Sequence, residues 1–235
     1  MEVIALIIAG GIGSRMGQAI PKQFLTVYDK PIIAYTMEKF ENHPEIDVIA
    51  VVCLDGWEHI LESYAKQYKI TKLKHIFPAG AVGQESIKNG IMGLAEYYDD
   101  DTIVLIHDGN RPNLSKDIIT ECINVTRQYN NAITCIPCQE AMLETQDGVS
   151  SKSSYPRDNL KRTQTPHGFK LGIIKNAHKK AAELNITNSI ASCTLMIEIG
   201  EKVYFSKGSE KNIKLTTLED MDIFRALLIG DKNDT

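Results

Sequence analysis

Four glycines and two cations crowd the stretch LIIAGGIGSRMGQAIPKQF, residues 6 to 24. Gly10, Gly11, Gly13 and Gly17 follow directly on an apolar run, with Arg15 and Lys22 set among and after them. Glycines let backbone N–H groups approach phosphate oxygens closely, and a turn after a buried strand is a common place for such a cradle. The dinucleotide pattern G-x-G-x-x-G fails here. Its third position is Met16, and the next strand ends near Asp55, too far along to supply the acidic partner. A Walker A loop fails too, since no G-x-x-x-x-G-K-[ST] can be read. What is left is a phosphate loop with two added cations. That suits a triphosphate, whose charge grows at the α-phosphorus during attack. Pro21 beside Lys22 stiffens the loop and helps aim the ammonium.

The elements that must hold this loop are legible as alternation. Strand-like apolar runs occur at 3–9, 47–53, 72–77, 102–107 and 132–137, with helix-periodic segments at about 31–42, 57–68, 85–97 and 116–129 between them. Ile87, Ile91, Leu94 and Ala95 share one face of the third helix, and Ser115 is placed to cap the fourth. Such alternation predicts right-handed crossovers and a mostly parallel sheet covered on both faces. Ligands of such sheets sit outside the carboxyl ends of the strands. The pattern breaks between about 138 and 165, where CQEAMLETQDGVSSKSSYPRDNLKRTQTP is polar and turns at Asp147-Gly148. This reads as a projecting hairpin, an arm over about 138–163. An isolated hairpin is marginal in water, so the arm needs a surface to pack on. Helical pattern resumes at about 170–184 and 189–199, then a strand KVYFSKG and a last helix near 217–229.

Bulk properties narrow the class. A chain of 235 residues can form one large α/β domain, and 43% hydrophobic with 24% charged content is ordinary for a globular protein. A net charge of −4 argues against general binding of nucleic acid or membrane surfaces, though not against a local basic pocket. No apolar run approaches the roughly 20 residues of a membrane span, and no cationic segment precedes the first apolar stretch. An odd number of cysteines, five, scattered in apolar context suits a reducing compartment. These features predict a cytoplasmic protein. Cys135 and Cys138 have C-x-x-C spacing, but no second pair or His cluster completes a zinc site, so burial is the expectation.

Taken in order, the motifs carry a resemblance. A-G-G-x-G-x-R-M-G followed by P-K-Q-F-L resembles the nucleotidyltransferases that activate sugar or polyol phosphates. The P-K-Q ending is similar to the 2-C-methyl-D-erythritol 4-phosphate cytidylyltransferase family and its ribitol-5-phosphate cytidylyltransferase relatives. His107-Asp108-Gly109-Asn110-Arg111-Pro112 resembles that family's H-D-[AG]-x-R-P. Arg157 with Gln164-Thr165-Pro166 resembles its R…[LQ]-T-P-Q, and Asn212-Ile213-Lys214-Leu215-Thr216 with Glu219-Asp220 its N-I-K-[VL]-T…x-D. The landmarks run in order from residue 6 to residue 220.

The resemblance implies a Rossmann-like, three-layer αβα nucleotidyltransferase fold with a β-arm, the whole of 1–235 forming one domain. It implies that the backbone at Ile8, Ala9, Gly10, Gly11 and Gly13, with the loop from Gly80 to Ser86, holds the cytosine and ribose of CTP. Arg15, Lys22 and Lys214 become catalytic, neutralising charge in the transition state, and Asp108 helps hold Mg²⁺ on the phosphates. Arg111, Arg157, Thr165 and Lys214 become acceptor-binding groups. No general base is needed, because the acceptor's phosphate is already anionic. The arm implies a homodimer with Arg157 reaching the neighbouring subunit's site. Three positions depart from the pattern: Gly83 where an Arg is usual, Glu140-Ala141 in place of Asp-Thr, and Ala191 in place of an Asp. All three lie at or near the expected pocket, so the acceptor is the open question. Ribitol 5-phosphate or a related alditol phosphate, feeding teichoic acid or capsule, is favoured over methylerythritol phosphate for isoprenoids. A nucleotidyltransferase using UTP or GTP, or an idle nucleotide-binding protein, is the alternative.

Overall fold

Strands that show no polar alternation must be covered on both faces, and the apolar runs accordingly become interior strands of one sheet, with the more polar run at 72–77 at its edge. The computed structural model describes residues 1–11 and 20–233. Along the chain come β1 (Val3–Ala9), the short strands β2 (Thr26–Val27) and β3 (Lys30–Pro31), α1 (Ile32–Glu41), β4 (Val48–Cys53), α2 (Glu58–Gln67), β5 (Leu73–Pro78) and α3 (Gly83–Leu94). Then follow β6 (Ile103–Asp108), α4 (Lys116–Tyr129), β7 (Asn131–Pro137), β8 (Met142–Glu144) and β9 (Ser153–Tyr155). The chain continues through β10 (Lys161–Lys170), α5 (Leu171–Glu183), α6 (Ser192–Glu198), β11 (Phe205–Lys207) and α7 (Leu218–Asn233). Seven strands form the main sheet in the order β11-β7-β10-β6-β1-β4-β5. Neighbours run parallel except at β10, which is antiparallel to both β6 and β7.

Alternate residues of β1 feed two separate cores. Val3, Ala5 and Ile7 join Met37 and Phe40 of α1 and Ile119 and Ile123 of α4. Ile4 and Leu6 join Ile91 of α3, Ile174 of α5 and Met196 of α6. The fold is therefore the expected three-layer α/β architecture. A smaller cluster of Val27, Ile32, Leu215, Met221 and Phe224 packs α7 beside the β2–β3 hairpin. Ser115 caps α4 as expected, accepting the Ile118 N–H at 3.4 Å, and the helix ends on Asn130 at φ 66°. No helix among the described residues is long and apolar enough to cross a membrane.

One central strand was not anticipated by the sequence pattern. KRTQTPHGFK is polar and carries a proline and a glycine, yet it forms β10 in the middle of the sheet. The register with β7 breaks between Thr163 and His167, so Pro166 falls in the irregularity, where no ladder hydrogen bond is required of it. Gly168 is demanded by packing, since a Cβ there would sit 2.1 Å from Thr126 Oγ1 of α4. The arm does form a hairpin. β8 and β9 pair antiparallel around Asp147-Gly148, with Met142 opposite Tyr155. Asp147 Oδ1 accepts the Val149 and Ser150 N–H groups at 2.9 and 2.8 Å and shapes the turn. Residues 139–159 are exposed throughout, including Leu143, Val149 and Tyr155.

His178 of α5 is buried with neither ring nitrogen hydrogen-bonded, and burial, aided by Lys88, pushes its pKa down to about 4. The unfolded chain then binds more protons than the folded one between about pH 6.5 and pH 4, so stability is lost as pH falls through that window. Urea unfolding at stepped pH should show this decline. His178→Leu should make it shallower; an unchanged slope would mean that His178 titrates normally.

Candidate active site

Sheet register brings the working residues to one edge. Ala9 lies beside Cys53, Cys53 beside Pro78, and Ile8 beside Asp108, so the loops after β1, β4, β5 and β6 all leave at the carboxyl ends together. β10 runs the other way and enters from the arm at this same edge, which sets Thr163–Thr165 beside the end of β6. Between these loops lies a cavity of about 660 Å³.

One wall is the start of the glycine loop. Gly10 and Gly11 line the cavity, and a Cβ on Gly10 would lie 2.5 Å from that of Ala79, so only glycine permits this approach of the two loops. Gln23 holds the loop from behind. Its buried side-chain amide donates to the carbonyls of Ala9 at 2.6 Å and Gly11 at 3.1 Å. Phe24 stacks on Trp57 with ring centroids 4.5 Å apart. With Gln23 and Phe24 both anchored inward, the preceding residue, Lys22, lines the cavity. Opposite, Ser86 accepts the Gly80 N–H at 3.0 Å and donates to the Val82 carbonyl at 3.1 Å, closing the loop before α3.

Asp108, at the end of β6, is the centre of the other wall. Arg111 Nε and Lys214 Nζ reach the same oxygen, Oδ2, at 3.0 and 3.1 Å. Burial opposes the charge on this carboxyl, but Lys214 and Arg111 outweigh it and hold the pKa well below the usual carboxylate range. Lys214 comes from a distant segment that is clasped into place. Asn110 donates through its side chain to the Leu215 carbonyl, and the Leu215 N–H donates back to the Asn110 carbonyl at 2.9 Å. Arg111 Nη1 donates to the Asn212 carbonyl, and Asn212 Nδ2 to that of Thr165, both at 2.8 Å.

A directed chain of hydrogen bonds ties β6 to β10. Burial lowers the His107 pKa to about 4, so the ring is neutral. Its Nε2–H donates to the Arg111 carbonyl at 3.1 Å, which leaves Nδ1 to accept the Thr165 hydroxyl at 3.1 Å. That hydroxyl in turn accepts the Asp108 N–H at 3.0 Å.

Of the residues singled out in the sequence, Ile8, Gly10, Gly11, Lys22, Gly80, Ser86, Asp108, Arg111, Thr165 and Lys214 all line this one cavity. Ala9 is buried, and its carbonyl is held by Gln23. Arg157 does not join them. It is exposed on the arm, in the turn Arg157–Asn159, where it donates to the Gln139 carbonyl at 2.7 Å. Gly13 and Arg15 lie outside the described residues. Cys135 and Cys138 are buried free thiols. Gln23, His107, His167 and Ser192 were not singled out, although the P-K-Q and H-D-G motifs contain the first two. The partners of Gln23 and His107 lie on other strands or on a loop that folds back, which spacing does not reveal. Among the described residues no cluster of three or more His, Cys, Asp or Glu could hold a metal unaided. A lone Asp108, with its cations gathered on one oxygen, still fits Mg²⁺, which keeps waters and takes remaining ligands from substrate phosphates.

An open α/β sheet with Gly10, Gly11 and clustered cations at its carboxyl edge suits a phosphate-bearing ligand such as a nucleotide. Residues 3–229 match the family described as 2-C-methyl-D-erythritol 4-phosphate cytidylyltransferase. A ribitol-5-phosphate cytidylyltransferase of Lacticaseibacillus paracasei is 38% identical over 228 residues, covering 96% of this chain and 97% of that protein. A 2-C-methyl-D-erythritol 4-phosphate cytidylyltransferase of Clostridium botulinum is 36% identical over 226 residues, covering 95% and 96%. The crystal structure of 4-diphosphocytidyl-2C-methyl-D-erythritol synthase from Anaerococcus prevotii has the same fold, with a TM-score of 0.80 at 24% identity over 97% of this chain and 98% of that one. The chain belongs to the 2-C-methyl-D-erythritol 4-phosphate cytidylyltransferase family.

Removing the Gln23 amide leaves the Ala9 and Gly11 carbonyls without their donor. Gln23→Ala should lower the free energy of unfolding by about 1–3 kcal/mol, the cost of leaving the buried Ala9 carbonyl unpaired. Urea denaturation measures this, and an unchanged midpoint would mean that water replaces the amide fully.

Proposed function

We propose that the protein transfers CMP from CTP to a polyol phosphate, ribitol 5-phosphate or a related alditol phosphate, releasing pyrophosphate. The observation that carries this reading is the gathering in one cavity of Gly10, Gly11 and Lys22 with Asp108, Arg111 and Lys214. The whole chain acts as one catalytic domain, in the cytoplasm, which agrees with its five free thiols. Glu140-Ala141 in the arm, together with the 38% identical relative named for ribitol 5-phosphate, supports the alditol phosphate and a role in teichoic acid or capsule synthesis. The 36% identical relative named for methylerythritol phosphate supports a second reading, in which the acceptor is that compound.

In this mechanism CTP lies along the glycine loop, with its base and ribose against Ile8–Gly11 and Gly80–Ser86. An oxygen of the acceptor phosphate attacks the α-phosphorus, the bond from that phosphorus to the bridging oxygen breaks, and the electron pair leaves with pyrophosphate. Charge grows on the α-phosphoryl oxygens during this step, and Lys22, Lys214 and Arg15 are the groups that offset it. Arg111, rigidly held by Asp108 and Asn212, orients the acceptor's phosphate rather than moving with it. Asp108 would hold Mg²⁺, which when bound draws charge from the triphosphate.

Coupled pyrophosphate release should be fastest with CTP among the four ribonucleoside triphosphates, stop in excess EDTA and return with Mg²⁺. A panel containing ribitol 5-phosphate and 2-C-methyl-D-erythritol 4-phosphate should rank the first higher. The reverse ranking would establish the second reading, and turnover with neither would leave a nucleotide-binding protein.

The arm makes the enzyme a homodimer in this proposal, with Arg157 serving the partner's site. Its support is an exposed hairpin bearing Leu143, Val149 and Tyr155, and an Arg157 that is exposed and outside this chain's own cavity lining. Arg157→Ala and Lys22→Ala homodimers should each be nearly inactive. After subunit exchange the mixture should recover up to about a quarter of wild-type activity, because half the dimers are mixed and each has one intact site. No recovery despite proven exchange would assign Arg157 to its own chain.

A further inference from the structure

Two loops border the cavity near α3, and different contacts hold each. The loop from Gly80 to Ser86 closes on itself. Ser86 accepts the Gly80 N–H at 3.0 Å, and Glu85 accepts that of Ala81 at 2.7 Å. The other is the connection from α5 to α6, whose last residues lead into the cavity lining at Ile190, Ala191 and Ser192. From Ile186 to Ser189 this connection is neither helix nor strand. α6 holds its end: the Ala191 N–H donates to the Thr194 hydroxyl at 2.9 Å, and the Ser189 hydroxyl donates to Glu198.

Gln84 joins the two loops. Its neighbours Gly83, Ser86 and Ile87 line the cavity, but Gln84 is buried against the connection instead. Its side-chain amide donates to the Ile186 carbonyl at 2.7 Å and accepts the Ser189 N–H at 2.6 Å. Among the described residues, the backbone from Thr187 to Ile190 makes no other hydrogen bond. Packing does not replace this brace. Behind the wall, Ile87, His178 and Leu195 border a void too small for a water molecule, where facing atoms forgo contact. Ile190 is 96% exposed, so its own burial does not set where it stands.

We propose that Gln84 is a positioning residue, which fixes the spacing between the Gly80–Ser86 loop and the Ile190–Ser192 wall and so sets the width of the cavity. It touches no reacting group. It acts through the backbone of Ile186 and Ser189, and its two bonds are the hydrogen-bonded link that carries the position of one loop to the other. This inference rests on the transferase reading above and assigns to that site a residue that shapes it from behind.

Gln84→Leu removes both bonds at similar volume. Hydrogen exchange at the Ser189 amide should quicken about five- to tenfold, the scale of one lost hydrogen bond. The kcat/KM for pyrophosphate release with CTP and ribitol 5-phosphate should fall about tenfold or more, the scale of a small misplacement. Gln84→Glu keeps an acceptor for the Ser189 N–H, but its ionised form cannot donate to the Ile186 carbonyl. Its activity relative to the wild type should be low at about pH 8 and recover toward about pH 5, as a carboxyl whose pKa is raised by burial regains the proton it donates. His178, Lys88, Glu85 and Glu198 surround this position in both proteins, so the ratio at each pH isolates the new carboxyl. The glutamate variant carries the test if the leucine variant does not fold. Unchanged exchange at Ser189, quickened exchange with unaltered kcat/KM, or a Gln84→Glu ratio that is flat with pH would overturn the inference while the transferase reading stands. A wild type that transfers to no polyol phosphate would overturn both.

Discussion

Two cations on one carboxylate oxygen set the geometry of the working edge. Arg111 is a local partner of Asp108, three residues on, but Lys214 must arrive from the far end of the chain. The arrangement exists only if the segment around 209–216 docks against the loop after β6. Magnitudes decide what holds it there. With the Lys214 side chain 41% exposed, its ion pair contributes about 0–1 kcal/mol. The hydrogen bonds linking Asn110 with Leu215, Arg111 with Asn212, Asn212 with Thr165 and Gln164 with Ser209 contribute about 1 kcal/mol each. The clasp supplies the stability, and the ion pair aims the ammonium.

The same arrangement sets the charge of the cavity. With its pKa held below the usual carboxylate range by Lys214 and Arg111, Asp108 is anionic near neutral pH, so Arg111 and Lys214 keep a fixed partner there. His107 stays neutral for the opposite reason, burial, and serves as a hydrogen-bond bridge rather than a charge. Lys22, Arg111 and Lys214 against one carboxylate leave the cavity with excess positive charge although the chain carries −4 overall. A local surplus of this kind, with its groups anchored before substrate arrives, is the preorganisation that phosphoryl chemistry requires.

Much of this was readable in the chain. The runs at 3–9, 47–53, 72–77, 102–107 and 132–137 became strands within a residue or two, most plainly where Val and Ile dominate, at 3–9, 47–53 and 102–107. The arm announced itself by polarity and an Asp-Gly turn. β10 did not, since its acceptability in the sheet depends on a register break and on contact with α4 that only the assembled fold supplies. Side chains with a charge and a motif, such as Asp108 and Lys214, were legible. Those whose role is to hold backbone were not: Gln23 is an ordinary polar residue until the loop returns it to Ala9 and Gly11.

The antiparallel sense of β10 explains why arm and site are contiguous. β1, β4, β5 and β6 each deliver their ends to the working edge and return through a helix, whereas β7 leaves it through the arm. β10 alone delivers its beginning there, so the residues that emerge from the arm become the cavity wall without an intervening element. Gln164 and Thr165 are consequently fixed by β6 and by the 209–216 segment, while the exposed hairpin a few residues earlier is held by neither. An anchor this close to the site leaves the hairpin free of its own chain's wall. Along one short stretch, β10 carries side chains committed to the scaffold and the arm carries the exposed Arg157.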